Sequence, residues 1–385
     1  MIRRLCILGS TGSIGQQALD VVSRLSRGNN PRFEIVGLAA GANAKLLASQ
    51  IAEHQPNFAS IQCQQSADEL TSRLPELSFT QILSGDLGIH EMLERSKPDL
   101  VLNAIVGAAG LPPTLKTIEL GIDLALANKE SLVIGGHLVE TALKVSQAKL
   151  IPVDSEHNAL FQIIQGLSPD LITKMWITAS GGALRDLPIT AISKATPEMV
   201  LKHPNWAMGQ RITVDSATLV NKAFEVIEAK WLFDLNCNQI EAIIHPQSLI
   251  HGLIELNDGS IHAHMGPPDM RIPIQHALSY PEPADMGFEK LDLTQSPLEF
   301  RAVEAARYPA YQIVVQSGQR GGSAPAVINA ADEVAVDRFL RNEIPFGSIP
   351  EILQRVLDKH EILNDPSLDQ LLESDRWARA EAQNC

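Results

Sequence analysis

Apolar positions in the first 150 residues fall into short runs separated by amphipathic stretches. Runs at 4–8, 34–39, 58–62, 100–104, 123–127 and 149–153 have the length and content of buried strands. Between them the apolar residues recur at helical spacing, as in Ile14, Ala18, Leu19, Val22 and Leu25. Strands alternating with helices predict a Rossmann-like, doubly wound parallel sheet, with α/β as the fold class. From 151 to 280 the pattern mixes the two periods. Runs at 249–256 and 260–265 flank Asn257-Asp258-Gly259 and read as a hairpin, so this part is expected to be an α+β catalytic or connective domain. Residues 281–305 carry Pro281, Glu282, Pro283 and Pro297 with little periodicity and read as a linker. From 306 to 385 the pattern is helical throughout, which predicts a small C-terminal bundle. Ser348-Ile-Pro-Glu351 is expected to form a capping box opening a helix to about 359.

Composition narrows what such a chain does. Hydrophobic residues make up 45% of the 385, enough for sizeable cores, and the net charge of −14 disfavours general binding to nucleic acid or anionic membrane. No apolar run approaches the ~18 residues needed to cross a bilayer. The start, Met1-Ile-Arg-Arg-Leu5, runs into a glycine loop instead of a cleavage site. Cys6, Cys63, Cys237 and Cys385 are scattered without a C-x-x-C pair, which suits a reducing compartment and offers no zinc site. A cytoplasmic protein, or a mature form without its transit segment, is the expectation.

The candidate chemistry starts at Gly9-x-x-Gly12-x-x-Gly15, between a strand and a helix. Glycines there permit a tight turn and close approach to a pyrophosphate, and the helix start supplies N–H groups. The second strand ends Leu38-Ala-Ala-Gly41-Ala42-Asn43 without the acid that binds a ribose diol in NAD enzymes, which favours NADP(H). Lys45 could add charge. Polar clusters follow later strands: Asn103 to Gly107, Asn128-Lys129-Glu130 and Asp154-Ser155-Glu156. Asp154 and Glu156, two apart, would share one face of an extended chain, and two such carboxylates call for a cation such as Mg²⁺ or Mn²⁺. The competing reading is a solvated turn with a helix cap. Ser180-Gly181-Gly182 could cradle phosphate or be a plain loop. The loop His203-Pro-Asn-Trp206-Ala-Met-Gly209 suggests a lid. Ser216, Asn221 and Lys222 make a donor set for phosphate. Asn221 and Glu225 are one helical turn apart, making Glu225 a candidate third metal ligand, against a surface pair of Lys222 with Glu225. His262 and His264, like His245 and His251, read as strand polar positions before metal ligands.

In this order, these motifs resemble the 1-deoxy-D-xylulose 5-phosphate reductoisomerase family over essentially the whole chain. The resemblance implies that Thr11, Gly12, Ser13, Ile14, Gly41, Asn43, Asn128, Glu130 and Gly209 contact NADPH. Ala42 stands where many relatives carry Lys or Arg. It further implies that Asp154, Glu156 and Glu225 hold one divalent cation, Mg²⁺, Mn²⁺ or Co²⁺. Ser180, Ser216, Asn221 and Lys222 would take the substrate's phosphate. Lys129, Ser155 and Glu156 would reach its oxygens beside the metal, and His203 and Trp206 would belong to the lid. Lys129, Glu156 and His203 are the catalytic candidates. The implied reaction rearranges 1-deoxy-D-xylulose 5-phosphate and reduces the branched aldehyde with NADPH, in a homodimer. Two alternatives are a metal-independent NADP dehydrogenase of another phosphorylated aldehyde and a non-catalytic NADP sensor; neither needs the three carboxylates.

Overall fold

The computed structural model describes residues 2–26, 32–74, 79–202, 209–282, 284–285, 287–288 and 290–385. The chain divides into two compact units: Met1–Ser131 with Val139–Asn158 and Asp269–Phe288, and Leu132–Leu138 with Ala159–Pro268 and Glu289–Cys385.

The first unit alternates strand and helix: β1 (Arg3–Leu8), α1 (Ser13–Leu25), β2 (Phe33–Ala40), α2 (Ala44–His54), β3 (Phe58–Ile61), α3 (Gln64–Arg73), β4 (Gln81–Ser84), α4 (Gly85–Ser96), β5 (Leu100–Asn103), α5 (Leu111–Glu119), β6 (Asp123–Leu126), α6 (Glu130–Val145), β7 (Leu150–Pro152) and α7 (Ser155–Ile163). The strands form one sheet in the order β4-β3-β2-β1-β5-β6-β7, and each pairing is parallel. The doubly wound expectation holds, with one strand more than the hydrophobic runs showed. β4 is a short edge strand, Gln81-Ile-Leu-Ser84, and its four residues are too few and too polar to stand out as a run.

The second unit is built on a mixed five-stranded sheet. β8 (Ile172–Ala179) runs parallel to β9 (Ile240–Ile244) and antiparallel to β10 (Ile250–Leu256). β10 turns at Gly259, φ +83°, into β11 (Ile261–Met265), so the expected hairpin forms. Helices α8 (Ile189–Ile192), α9 (Pro197–Val200), α10 (Gln210–Thr218) and α11 (Val220–Phe233) come from the β8–β9 connection. α12 (Arg271–Ser279) belongs to the first unit, and β12 (Arg301–Ala302) adds to β9 within the stretch read as a linker. The chain ends in α13 (Pro309–Arg320), α14 (Ala324–Leu340), α15 (Ser348–Lys359) and α16 (Leu368–Gln383). The capping box expected at Ser348 does not form. The chain already turns through the Ser348 N–H to Pro345 carbonyl bond, Gly347 takes the cap position, and Ser348 is the first helical residue. A capping box does open α16, between Ser367 and Gln370.

α11 is the axis of this unit. Val226, Ala229 and Phe233 pack with Met175, Ile177, Ile240 and Ile254 of the sheet. Ala223, Phe224 and Ile227 join Val327, Ile328, Phe339 and Leu353 in the helical core. A helix covered on two sides carries whatever polar groups it bears into the interior, and Lys222, Glu225 and Glu228 are all buried.

A second buried polar group lies between α10 and α14. Asp332 is wholly buried, and loss of water together with the Asp215 carboxylate pushes its carboxyl well above the usual range. Arg211 approaches Asp332 at 3.7 Å and Asp215 at 3.6 Å, and binds Glu333 at 2.8 Å. The folded state therefore keeps a proton where the unfolded chain, titrating near about pH 4, has lost it, and stability falls as pH rises through that interval, by at most about 1.4 kcal/mol per pH unit. Asp332→Asn keeps a neutral partner for Asp215 without the titration. Its melting temperature is expected to fall less than that of the parent as pH rises above about 4 in thermal unfolding scans; equal falls would refute the retained proton.

Candidate active site

In a parallel sheet all strand C-termini lie along one edge, and a crevice opens where neighbouring connections diverge, here between β1 and β5. The turn leaving β1 is drawn tightly into that crevice. Gly9 has φ +81°, and a Cβ on it would run into the Ala104 carbonyl just beyond β5. A Cβ on Gly15 would run into the Gly9 carbonyl. Gly12 caps α1 with no side-chain bond, so Thr11, Gly12, Ser13 and Ile14 surround a helix start that presents its positive end. Gln50 of α2, unnoticed in the sequence, locks this turn: it accepts from the Ser10 hydroxyl at 2.7 Å and donates to the Ser10 carbonyl at 2.8 Å, with both residues buried.

After β2, Gly41, Ala42 and Asn43 are exposed, and Asn43 caps α2 by accepting from the Leu46 N–H at 3.1 Å. No carboxylate stands there, and Lys45 is exposed in the first turn of α2. This surround suits a 2′-phosphate. After β6, Asn128 is a hub. Its amide nitrogen donates to the carbonyls of Ile105 (2.7 Å) and Gly107 (3.0 Å) and to Glu130 (2.8 Å), while its oxygen accepts from the N–H and hydroxyl of Ser131. Gly110 sits where a Cβ would overlap the Asn128 amide. The turns after β5 and β6 are thereby fastened to each other.

Next along the edge, the Lys129 ammonium meets Asp154 at 2.6 Å, with both side chains mostly shielded from water. Asp154 and Glu156 do not share the face of an extended strand. β7 ends at Pro152, the Asp154 carbonyl accepts the Asn158 N–H, and Glu156 lies in the first turn of α7. The Asp154 carboxylate accepts from the N–H of Ser155, the first residue of α7, at 3.0 Å. Ser155 in turn donates from its hydroxyl to Glu156 at 2.6 Å. The same turn buries His157 completely, a residue with no motif of its own to reveal it.

In the second unit the residues after β8 form a turn with two successive positive φ angles, Gly181 at +82° and Gly182 at +69°. A Cβ on Gly182 would lie 2.6 Å from both the Ala217 Cα and the Ser216 carbonyl, so glycine lets this turn press against the part of α10 that carries Ser216. The Ser180 hydroxyl accepts from the Gly182 N–H at 3.2 Å. Leu219, φ 58°, reverses the chain from α10 into α11. There Lys222 and Asn221 each donate at 2.6 Å to one oxygen of Glu225. Lys222 is 5% exposed and Glu225 1%, which rejects the surface pair. Gly209 caps α10, whereas His203 and Trp206 lie outside the described residues. His245 stacks on Phe300 and bonds the Glu299 carbonyl, and His251 bonds the Gly266 carbonyl; both are buried and packed. His262 is exposed on the edge strand β11.

Asp154 and His157 in the first unit and Glu225 in the second each offer a ligand atom for a metal. Asp154 with Lys129 and Glu225 with Lys222 are each a shielded carboxylate–ammonium pair, and carboxylate oxygens are the hard donors that divalent cations take.

Known proteins match this arrangement over its whole length. The family model for 1-deoxy-D-xylulose 5-phosphate reductoisomerase matches residues 5–136, and the models for its C-terminal domains match 150–233 and 265–381. The 1-deoxy-D-xylulose 5-phosphate reductoisomerase of Heliobacterium modesticaldum is 46% identical, over 98% of this chain and 96% of its own. The reductoisomerase of Zymomonas mobilis, solved with NADPH, superposes with a TM-score of 0.92 at 37% identity, covering 100% of this chain and 99% of that one. A DOX-P reductoisomerase solved with NADPH, fosmidomycin and magnesium gives the same TM-score and identity, covering 100% and 98%.

Asn128 tests how the first unit's edge is held together. Asn128→Ala removes the bonds to the Ile105 and Gly107 carbonyls of the turn after β5 and to Ser131 at the start of α6. A loss of about 2–3 kcal/mol is expected from the urea midpoint of the ligand-free protein; a change under about 0.5 kcal/mol would show that the hub is dispensable.

Proposed function

The chain belongs to the 1-deoxy-D-xylulose 5-phosphate reductoisomerase family, and from that premise we propose how its residues divide the work. The protein is an NADPH-dependent enzyme that rearranges 1-deoxy-D-xylulose 5-phosphate and reduces the product to 2-C-methyl-D-erythritol 4-phosphate, with a divalent cation, in the methylerythritol phosphate route of isoprenoid biosynthesis. The observation that carries the residue-level reading is the buried Lys222–Glu225 pair on α11, with Asn221 bonded to the same carboxylate. A simple dehydrogenase or a nucleotide sensor needs no set of carboxylates to hold a cation.

Thr11, Gly12, Ser13 and Ile14 hold the NADPH pyrophosphate at the start of α1, and Gly41 and Asn43 take the adenosine ribose end. Asn128, Glu130 and Gly209 contact the remainder of the cofactor. By function we assign residues 1–150 to the cofactor domain, 151–280 to the catalytic and connective domain, 281–305 to a linker and 306–385 to a helical domain, although 151–158 and α12 fold with the first unit and β12 with the second unit's sheet. Asp154, Glu156 and Glu225 hold the cation, whose Lewis acidity, once bound, stabilises charge developing on neighbouring substrate oxygens. Ser180, Ser216, Asn221 and Lys222 bind the phosphate. Binding energy from that unreactive end positions the carbons that rearrange. Lys129 and Ser155 orient the substrate's hydroxyl and carbonyl oxygens, with Lys129 and Glu156 placed to hold protons there. His203 and Trp206 close over the substrate and exclude water. Among the described residues no helix is long and apolar enough to cross a membrane.

A homodimer formed through the middle domain is supported by β11, which pairs among the described residues only with β10 and exposes Ile261. Sedimentation should read twice the 41.8 kDa chain mass; a species of the single-chain mass would refute the dimer.

Glu225→Gln is expected to lower kcat by on the order of 100-fold or more at saturating Mg²⁺, since even partners outside the ligand shell cost 10–100-fold. NADPH affinity, followed by fluorescence titration, should stay within about twofold. Turnover that survives thorough chelation, or equal loss of NADPH binding, would contradict the ligand role.

A further inference from the structure

The turn Ala179-Ser180-Gly181-Gly182 has each of its first three carbonyls held by a different part of the second unit. The Ala179 carbonyl accepts from the His245 N–H at 2.7 Å. The Ser180 carbonyl accepts from the Arg185 guanidinium at 2.8 Å. The Gly181 carbonyl accepts from the Tyr308 hydroxyl at 3.0 Å, across 127 residues of sequence. A short turn with consecutive positive φ angles has many conformations of similar energy. Fixing three carbonyls in a row leaves it one, and orients the intervening N–H groups and the Ser180 hydroxyl together.

From this geometry we propose that Tyr308 is a positioning residue for the substrate's phosphate, acting through the Gly181 carbonyl to hold the Ser180-Gly181-Gly182 turn in its anion-binding form. The proposal rests on the assignment of Ser180 to the phosphate. Tyr308 does not touch the substrate. Its ring is 2% exposed and packs with Ala179, Leu219 and Ile244, so the phenol cannot swing away from the turn. Burial pushes that phenol up to about 12, so it remains a donor at every pH at which the enzyme works. Arg185 does the same from the other side, and is itself steadied by Asp186, which Arg301 binds at 2.8 Å. Residues 299–308, read in the sequence as the end of a linker and the start of a helical domain, therefore supply two parts of the frame behind the anion site.

Tyr308→Phe keeps the packed ring and removes only the donor. In the full-length enzyme with NADPH and Mg²⁺, it is expected to raise KM for 1-deoxy-D-xylulose 5-phosphate about fivefold and weaken inhibition by inorganic phosphate by the same factor. The value of kcat should stay within about twofold, and NADPH affinity should not change. A merely structural role would lower the melting temperature without separating KM from kcat. Ser180→Ala runs in parallel. If Ser180→Ala raises KM and Tyr308→Phe leaves KM and phosphate inhibition unchanged, the positioning role of Tyr308 is overturned while the phosphate assignment stands. If Ser180→Ala itself changes neither, the phosphate assignment fails and the proposal falls with it.

Discussion

A carboxylate taken out of water has to be met by a proton or by a cation, and much of this molecule is arranged around that requirement. The solutions differ from place to place. Glu225, at the centre of the second unit, receives Lys222 and Asn221 on its two oxygens. Asp154 receives Lys129. Asp332, beside Asp215, is met by a retained proton as well as by Arg211. In the first two the partner is an ammonium on a flexible stem, which under the proposed assignment gives way to a divalent cation. The third is fixed by packing between two helices and serves the fold.

Burial of α11 makes the difference possible. A helix exposed on one side would let Glu225 reach solvent and dissipate its charge. Packed between the mixed sheet and the terminal helices, α11 keeps Lys222 and Glu225 at low dielectric, where their attraction is strong and where an incoming ion meets little competition from water. The C-terminal helices thus keep the Lys222–Glu225 pair out of water by covering α11.

Much of this was legible in the chain itself. Six of seven parallel strands, the glycine turn, the missing acid after β2 and the 257–259 hairpin follow from local rules that act over a few residues, and the structure agrees with them. The failures share a cause. Whether Asp154 and Glu156 lie on a strand or a helix depends on where β7 stops, a matter of one or two residues. Ser348 lost its cap to a turn formed by the residues before it. Gln50 on Ser10 and Tyr308 on Gly181 join positions 40 and 127 residues apart, and no periodicity in the chain connects them. His157 carried no signal because a single histidine on a helix is usually only packed.

The overall charge sharpens what the site residues must do. At −14 the chain repels its two anionic ligands, the substrate phosphate and NADPH, from a distance. At physiological salt that repulsion is screened beyond about 8 Å, so recognition has to be won inside that radius. The donors that the proposed function assigns there are of the short-range kind: the start of α1, the turn after β8, and ammonium groups at Lys129 and Lys222 already stripped of most of their water. Backbone N–H groups have no stem to swing and carry no formal charge to be neutralised elsewhere, so they bind anions without adding to the cations the interior must accommodate. They bind well only if their own carbonyls are held still. The frame behind Ser180-Gly181-Gly182 meets that condition with side chains, and the Gln50 lock on Ser10 meets it at the cofactor end. Under the proposed assignment, the stiffness of two short glycine turns takes the place in this acidic protein of a basic surface.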